Sequence, residues 1–157
     1  MPSPVSIRPA QASDAAEIAA ILQDLGWFAH LNAMDEAQAQ DHVARQLGLC
    51  QADASHLVLV AQEPGGQVVA YGAIHWLPYL IKPGPEGYVS ELFVRQAWRG
   101  QGVGGALLAA MEGEARARGC SQLMLINNQE RDSYRRAFYA KQGWQERRAM
   151  ANFCRPL

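Results

Sequence analysis

The chain has 157 residues, a length at which one domain buries roughly 68–70% of the surface that its unfolded chain exposes. Its 14 Lys and Arg nearly cancel 15 Asp and Glu, which argues against a protein held on nucleic acid by bulk charge. No apolar run reaches membrane-spanning length, and Cys50, Cys120 and Cys154 lack zinc-site spacing, so they read as reduced thiols of a cytoplasmic protein.

In chain order, Met1-Pro2-Ser3-Pro4 lacks the basic stretch that leads into a secretory signal. Repeats, low-complexity segments and linkers are absent, so residues 1–157 are expected to form a single domain. Val5 to Arg8 reads as a short strand and Pro9 to Ser13 as a turn. Asp14 reads as the cap of a first helix with Ile18, Ile21, Leu22 and Leu25 on its apolar face and Gly26 as its stop. Trp27 to Asn32 is aromatic-rich and irregular. A second helix runs from about Asp35 to Cys50 with Val43 and Leu47 inward.

Leu57 to Gln62 and Gln67 to Leu77 read as a hairpin across Glu63-Pro64-Gly65-Gly66. Pro78 to Gly87 is too rich in Pro and Gly for a central strand and reads as a loop. Tyr88 to Val94, Gly102 to Arg118 and Leu123 to Ile126 then form a right-handed βαβ unit with a parallel strand pair. Its helix pairs Glu112 with Arg116 and Glu114 with Arg118, and ends at Gly119. Arg131 to Gln142 is the last helix, and Trp144 to Arg148 and Asn152 to Arg155 are expected as terminal strands. The fold class is α/β: a mixed, strongly twisted sheet of about six to seven strands flanked by about four helices.

The segment Trp98-Arg99-Gly100-Gln101-Gly102-Val103-Gly104 lies between an apolar strand and a long amphipathic helix. Glycines at 100, 102, 104 and 105 let backbone N–H groups approach an anion, the helix start adds unpaired donors and a positive dipole end, and Arg99 adds a forked cation. A pyrophosphate is the natural guest. Gly100, Gly102 and Gly105 also satisfy the dinucleotide pattern Gly-x-Gly-x-x-Gly. There the strand would run almost directly into the first glycine and the next strand would end on an acid. Here Arg95 to Arg99 intervene, and Asn127-Asn128 stands at that end. A turn with no ligand is the third alternative, against which stands the folding cost of four glycines.

Arg99, Gly102 and Gly104 spell Arg-x-x-Gly-x-Gly after Glu91-Leu92-Phe93-Val94. With Ala137-Phe138-Tyr139-Ala140-Lys141-Gln142-Gly143-Trp144 downstream and Val5-Ser6-Ile7-Arg8-Pro9-Ala10 upstream, the chain resembles the GCN5-related N-acetyltransferase (GNAT) family over nearly its whole length. The resemblance implies acetyl-CoA as cosubstrate, no metal, and a sheet that splays beside the central strand. It also implies that main-chain groups of Leu92, Phe93 and Val94 meet the pantetheine arm, and that Arg99, Gly100, Gln101, Gly102, Val103 and Gly104 hold the pyrophosphate. The family often carries Asn seven positions before the tyrosine, where this chain has Asp132. Asn128 is the candidate substitute contact, with Asn127 beside it.

The implied chemistry is attack of an amine on a thioester. An alkylamine has a pKa near 10.4, so deprotonating it at pH 7 costs roughly 4.6 kcal/mol. Glu91, a carboxylate in an apolar strand, is the candidate base, acting through water; the alternative is a structural Glu, paired or facing solvent. Tyr139 matches the family tyrosine that protonates the departing thiolate, and also reads as a core aromatic. The resembling fold builds its acceptor pocket from segments that here carry Trp27, Phe28, His30 and Asn32, then His75, Trp76, Tyr79, Leu80 and Lys82, then Arg147, Arg148, Asn152 and Phe153. Trp27, Trp76 and Trp144 read equally as core.

The function expected is transfer of the acetyl group to a primary amine of a small molecule or peptide, by direct attack in a ternary complex. A non-catalytic acetyl-CoA or CoA sensor, a binder of another phosphorylated metabolite and a nucleotide-binding oxidoreductase are the alternatives. Expected partners are the amine substrate, neither nucleic acid nor membrane, and a second copy of the chain paired through exposed edges of the terminal strands.

Overall fold

Five strands form one sheet in the order β1-β2-β3-β4-β5, with β1 at Ser6–Pro9, β2 at His56–Gln62, β3 at Val68–Leu77, β4 at Glu86–Val94 and β5 at Gln122–Leu125. β1 to β4 run antiparallel in sequence order, joined between β2 and β3 by the expected tight turn. The computed structural model describes residues 5–157; residues 1–4, on which the absence of a leader was argued, lie outside it. It has two compact units, one ending at Met124 and one starting at Leu125.

In the first unit, α1 (Ala15–Leu25) and α3 (Glu36–Gln51) cover one face of the sheet. Ile18, Ile21 and Leu22 of α1 and Ala39, Val43 and Leu47 of α3 close a core over Val60, Val68 and Tyr71. The opposite face belongs to α4 (Val103–Ala117), whose Met111 side chain fills the space above Gly72. Because side chains alternate along a strand, Tyr71 and Gly72 mark the two faces. Helix α4 is also the crossover from β4 to its neighbour β5, the type of connection a parallel pair requires.

Local chemistry fixes the helix ends. Asp35 accepts from the Gln38 N–H at 2.8 Å while the Gln38 side chain accepts from the Asp35 N–H at 3.0 Å, a reciprocal cap that starts α3. Asp14 precedes α1, but its carboxylate turns backwards instead of capping that helix. It accepts from the Gln11 N–H at 2.7 Å and from both terminal nitrogens of Arg8 at 2.8 and 2.9 Å, tying β1 to the chain entering α1.

The structure departs from the expected elements in several places. Trp27 to Asn32 contains a single helical turn, α2 (Ala29–Asn32), and β4 begins at Glu86, two residues earlier than expected. Arg118 lies over the ring of Trp76, 4.6 Å from its centroid, in place of the i,i+4 partner Glu114. In the second unit the expected last helix is two turns, α5 (Asp132–Arg135) and α6 (Phe138–Lys141), separated at Ala137 with φ of 53°. Residues 131–136 offer one large apolar side chain, Tyr134, so no stripe holds a continuous helix.

Neither terminal strand forms, so the sheet has five strands in place of six to seven. Gln145, Glu146, Arg147 and Arg148 follow Trp144 without apolar alternation, and residues 145–157 are exposed. The strand edges assigned to a homodimer are therefore missing.

The Arg8–Asp14 pair gives a test. Burial opposes ionisation of Asp14, but its hydrogen bonds from Arg8, with that of Gln11, hold its pKa below the usual carboxylate value. Asp14→Asn is expected to lower stability by about 1–3 kcal/mol at neutral pH, read from urea unfolding. A depressed folded-state pKa contributes stability above the unfolded-state pKa of about 3.9 and loses it as pH falls through the folded value. Wild-type and variant midpoints should therefore converge in acid.

Candidate functional site

The site begins with a register shift. Ala73 pairs with Glu91 and the next residue, Ile74, pairs with Val89, so Ser90 is an extra residue in β4. Such a bulge bends a strand and re-aims the neighbouring side chains. Ser90 is anchored from β3: its hydroxyl shares a 2.7 Å hydrogen bond with Nε2 of His75 and donates to the Ala73 carbonyl at 3.5 Å.

The bulge presents Glu91 to Tyr71, whose hydroxyl donates to the carboxylate at 3.4 Å. Tyr71 is 2% exposed, whereas Glu91 is open to solvent although dense protein surrounds it. Desolvation by that protein raises the Glu91 pKa, and the bond from Tyr71 opposes the rise. The Tyr71 phenol is pushed well up, first by burial and then by the Glu91 charge, so it remains a donor. Cys50, near the end of α3, is raised by burial and by the same charge.

Phe93, two residues beyond Glu91 and on the same face of β4, is the hub of an aromatic cluster. Its ring centroid lies 5.7 Å from Phe28, 5.8 Å from Tyr71 and 6.0 Å from Trp27. Trp27 is 40% exposed, while Trp76 on β3 is 8% exposed, so the first forms a surface and the second is core.

Beyond β4 the chain makes one 3-10 turn at Gln96–Trp98 and enters the glycine segment. Gly100 and Gly102 have φ of 75° and 82°, and a Cβ on either would meet nothing within 4 Å. Backbone conformation therefore selects glycine at both, and the space beside them is open. Gly102 caps α4, and the first bond across its start runs from the Ala106 N–H to the Gly102 carbonyl at 2.9 Å. The N–H groups of Val103, Gly104 and Gly105 precede that ladder, giving the donor array that suits an anion. Arg99 Nε donates to the Val94 carbonyl at 3.0 Å and Gln101 to that of Ala97 at 2.8 Å, binding the turn to the strand end.

β5 accompanies only the beginning of β4. The Ser121 N–H donates to the Pro85 carbonyl at 2.9 Å, Gln122 reaches Glu86 at 2.7 Å, and Leu123 packs on Gly87. With four residues, β5 runs out before Leu92, Phe93 and Val94.

The first unit thus brings together Glu91, Leu92, Phe93, Val94 and the turn from Arg99 to Gly104. Tyr139 and Asn128 belong to the second unit. Tyr139 is half-buried on α6, 4.9 Å from the Phe138 ring and 6.1 Å from that of Trp144, and burial raises its pKa. The Asn128 side-chain oxygen accepts from the Glu130 N–H at 2.8 Å in a local turn, and Asp132 opens α5. Tyr71 and Ser90 were not singled out from the sequence. A hydroxyl in an apolar strand was the available signal for Tyr71, but its partner depends on the register of two strands.

A carboxylate open to solvent, a strand edge that outlasts its neighbour and a glycine turn at a helix start thus lie along one strand and the turn that follows it. The family model described as acetyltransferase (GNAT) family matches residues 21–144. Thialysine N-epsilon-acetyltransferase of Bos taurus is 30% identical over 77% of this chain and 73% of its own length. Aminoglycoside N(6')-acetyltransferase type 1 of Stenotrophomonas maltophilia is 30% identical over 68% and 71%. The solved structure of a transcriptional regulator from Bacillus halodurans shares the fold, with a TM-score of 0.84, 21% identity and coverage of 98% and 99%. The chain belongs to the GNAT family of acetyltransferases. It is an N-acetyltransferase acting on amines, and GNAT enzymes use acetyl-CoA as cosubstrate.

Gly102→Ala is expected to cost about 1–2 kcal/mol of stability from the left-handed backbone alone, with no steric term. Gly102→Asn should cost less, because Asn tolerates that conformation better; urea midpoints of the two variants check the order.

Proposed function

We propose that this chain transfers the acetyl group of acetyl-CoA to a primary amine of a small molecule or peptide by direct attack in a ternary complex. The observation that carries this reading is Glu91: a carboxylate made more basic by its surroundings, open to solvent, on the strand that leads into the glycine turn. The names of two relatives, acting on thialysine and on aminoglycosides, agree with a small-molecule amine.

The residues fit the cosubstrate. Arg99, Gly100, Gln101, Gly102, Val103 and Gly104 hold the pyrophosphate through N–H groups and one guanidinium. The space left by the missing Cβ atoms at Gly100 and Gly102 lets the anion approach. Main-chain groups of Leu92 and Val94, on the edge of β4 away from β3, hold the pantetheine amides, whereas those expected of Phe93 are turned to Tyr71 of β3; Asn128 adds a contact. When bound, acetyl-CoA supplies an acetyl group activated as a thioester.

Glu91 takes the amine proton through water. Its raised pKa narrows the gap to the alkylammonium value of about 10.4, and Tyr71 keeps the carboxylate aimed. Tyr139, raised by burial, stays protonated at neutral pH and gives its proton to the departing sulfur. No metal takes part. A cytoplasmic location agrees with three free cysteines, and among the described residues no helix is long and apolar enough to cross a membrane.

Glu91→Gln tests the base. Free thiol release from acetyl-CoA with a panel of primary amines should fall about 10²- to 10⁴-fold at pH 6 to 7. The sign follows from the base form: activity declines as pH falls through the raised Glu91 pKa, and the deficit of the variant shrinks toward the amine pKa. An equal deficit at every pH would assign Glu91 a structural role.

Tyr139→Phe should lower kcat about 10- to 10⁴-fold while leaving acetyl-CoA affinity, measured by calorimetry, within about twofold. Unchanged turnover would remove Tyr139 from the mechanism. Acetyl-CoA binding without thiol release from any amine would favour the sensor.

A further inference from the structure

Acceptor amines of ordinary pKa reach the enzyme as ammonium ions at neutral pH, so the site must bind a cation before Glu91 can deprotonate it. Taking an ammonium from water is costly unless something replaces its hydration. A carboxylate does so in part, and the faces of aromatic rings do so without hydrogen bonds, with Trp the most effective.

Both features lie on one face of the first unit. Glu91 and Phe93 are two residues apart on β4, and Tyr71 contacts both, through its hydroxyl at 3.4 Å and its ring at a centroid distance of 5.8 Å. Trp27 and Phe28, on the turn after α1, stand edge-to-face on Phe93 at interplanar angles of 72° and 78°. The Tyr71 ring is covered and belongs to the core, against which Phe28 and Phe93 pack. Here Trp27 is an exposed residue, and Phe28 and Phe93 are only half-buried.

We infer that Trp27, Phe28 and Phe93 form an aromatic wall, backed by the buried Tyr71, that with Glu91 receives the ammonium end of an acceptor carried on an unbranched apolar carbon chain. The proposal rests on the acetyltransferase reading and narrows its substrate class. Glu91 supplies the counter-charge and later the base, the wall supplies cation–π attraction and apolar contact, and Trp27 determines specificity. A polyhydroxylated carrier would leave its hydroxyl groups against rings that cannot hydrogen-bond them, so the wall selects against it.

Choline and its neutral isostere 3,3-dimethylbutan-1-ol separate charge from shape, and neither carries an N–H to be acetylated. Calorimetric titration of the full chain is expected to show choline binding about 3- to 30-fold more tightly than the isostere. Trp27→Ala should remove most of that preference, Trp27→Phe should keep part of it, and Glu91→Gln should lower it without abolishing it. Turnover of n-butylamine by Trp27→Ala should show KM raised more than kcat is lowered. Equal binding of the two probes, no measurable binding of either, or a preference untouched by Trp27→Ala would overturn the wall. The result is separable from the acetyl-transfer reading. Thiol release with n-butylamine but no choline preference sinks the wall alone. A Trp27-dependent preference without thiol release from any amine keeps the cation site and sinks the transferase reading of Glu91.

Discussion

The pairing of β3 with β4, shifted by one residue at Ser90, is the constraint on which the candidate site depends. An unbroken alternation would continue the two faces of the sheet in step. The extra residue breaks the step at Glu91, between the half of β4 that accompanies β5 and the half that does not. His75 and the Ala73 carbonyl hold Ser90 in place, so the irregularity is anchored by side-chain and main-chain bonds from the neighbouring strand. The buried Tyr71 then receives the carboxylate that the bulge presents. A carboxylate in a dense protein environment is costly, and the arrangement retains it with one hydrogen bond and an opening to water, which leaves it basic.

The glycine turn after β4 is built on backbone rather than side chains. Gly100 and Gly102 occupy left-handed conformations with open space around them, and the first turn of α4 carries two further glycines. An array of main-chain donors suits a pyrophosphate because its oxygens are alike, and N–H groups fixed by the helix need little reordering on binding. Arg99 adds charge and at the same time caps the Val94 carbonyl, so the cation is positioned by the strand whose edge it ends.

Features encoded by local sequence were legible without the structure. The glycine turn is a contiguous pattern, the hairpin is announced by Pro64-Gly65-Gly66, α1 follows from apolar spacing and its Gly26 stop, and α3 follows from apolar spacing. Features that require two distant segments were not. The Tyr71–Glu91 pair spans 20 residues, and its register depends on a bulge that no residue type at Ser90 announces. The final part of the chain misled for another reason. Residues 131–148 contain enough helix and strand formers to suggest regular elements, but too few apolar side chains on any one face to hold them, and propensity without burial does not sustain a strand. Trp27, Trp76 and Trp144 were alike as letters and separate only in their surroundings: one exposed on Phe93, one buried under Arg118, one beside Tyr139.

A strand has two faces and an edge, and β4 gives each a different task. One face is closed by α4 and serves stability. The edge beyond β5 offers main-chain groups, which cannot be altered by substitution of ordinary side chains. The other face carries Glu91 and Phe93, whose side chains can vary without disturbing that edge. Phe93 turns its N–H and carbonyl to Tyr71 of β3 and its ring to the cluster with Trp27, Phe28 and Tyr71, so the edge away from β3 is left to the backbone of Leu92 and Val94. Side chains on that face can then vary on a strand whose main-chain edge is held constant.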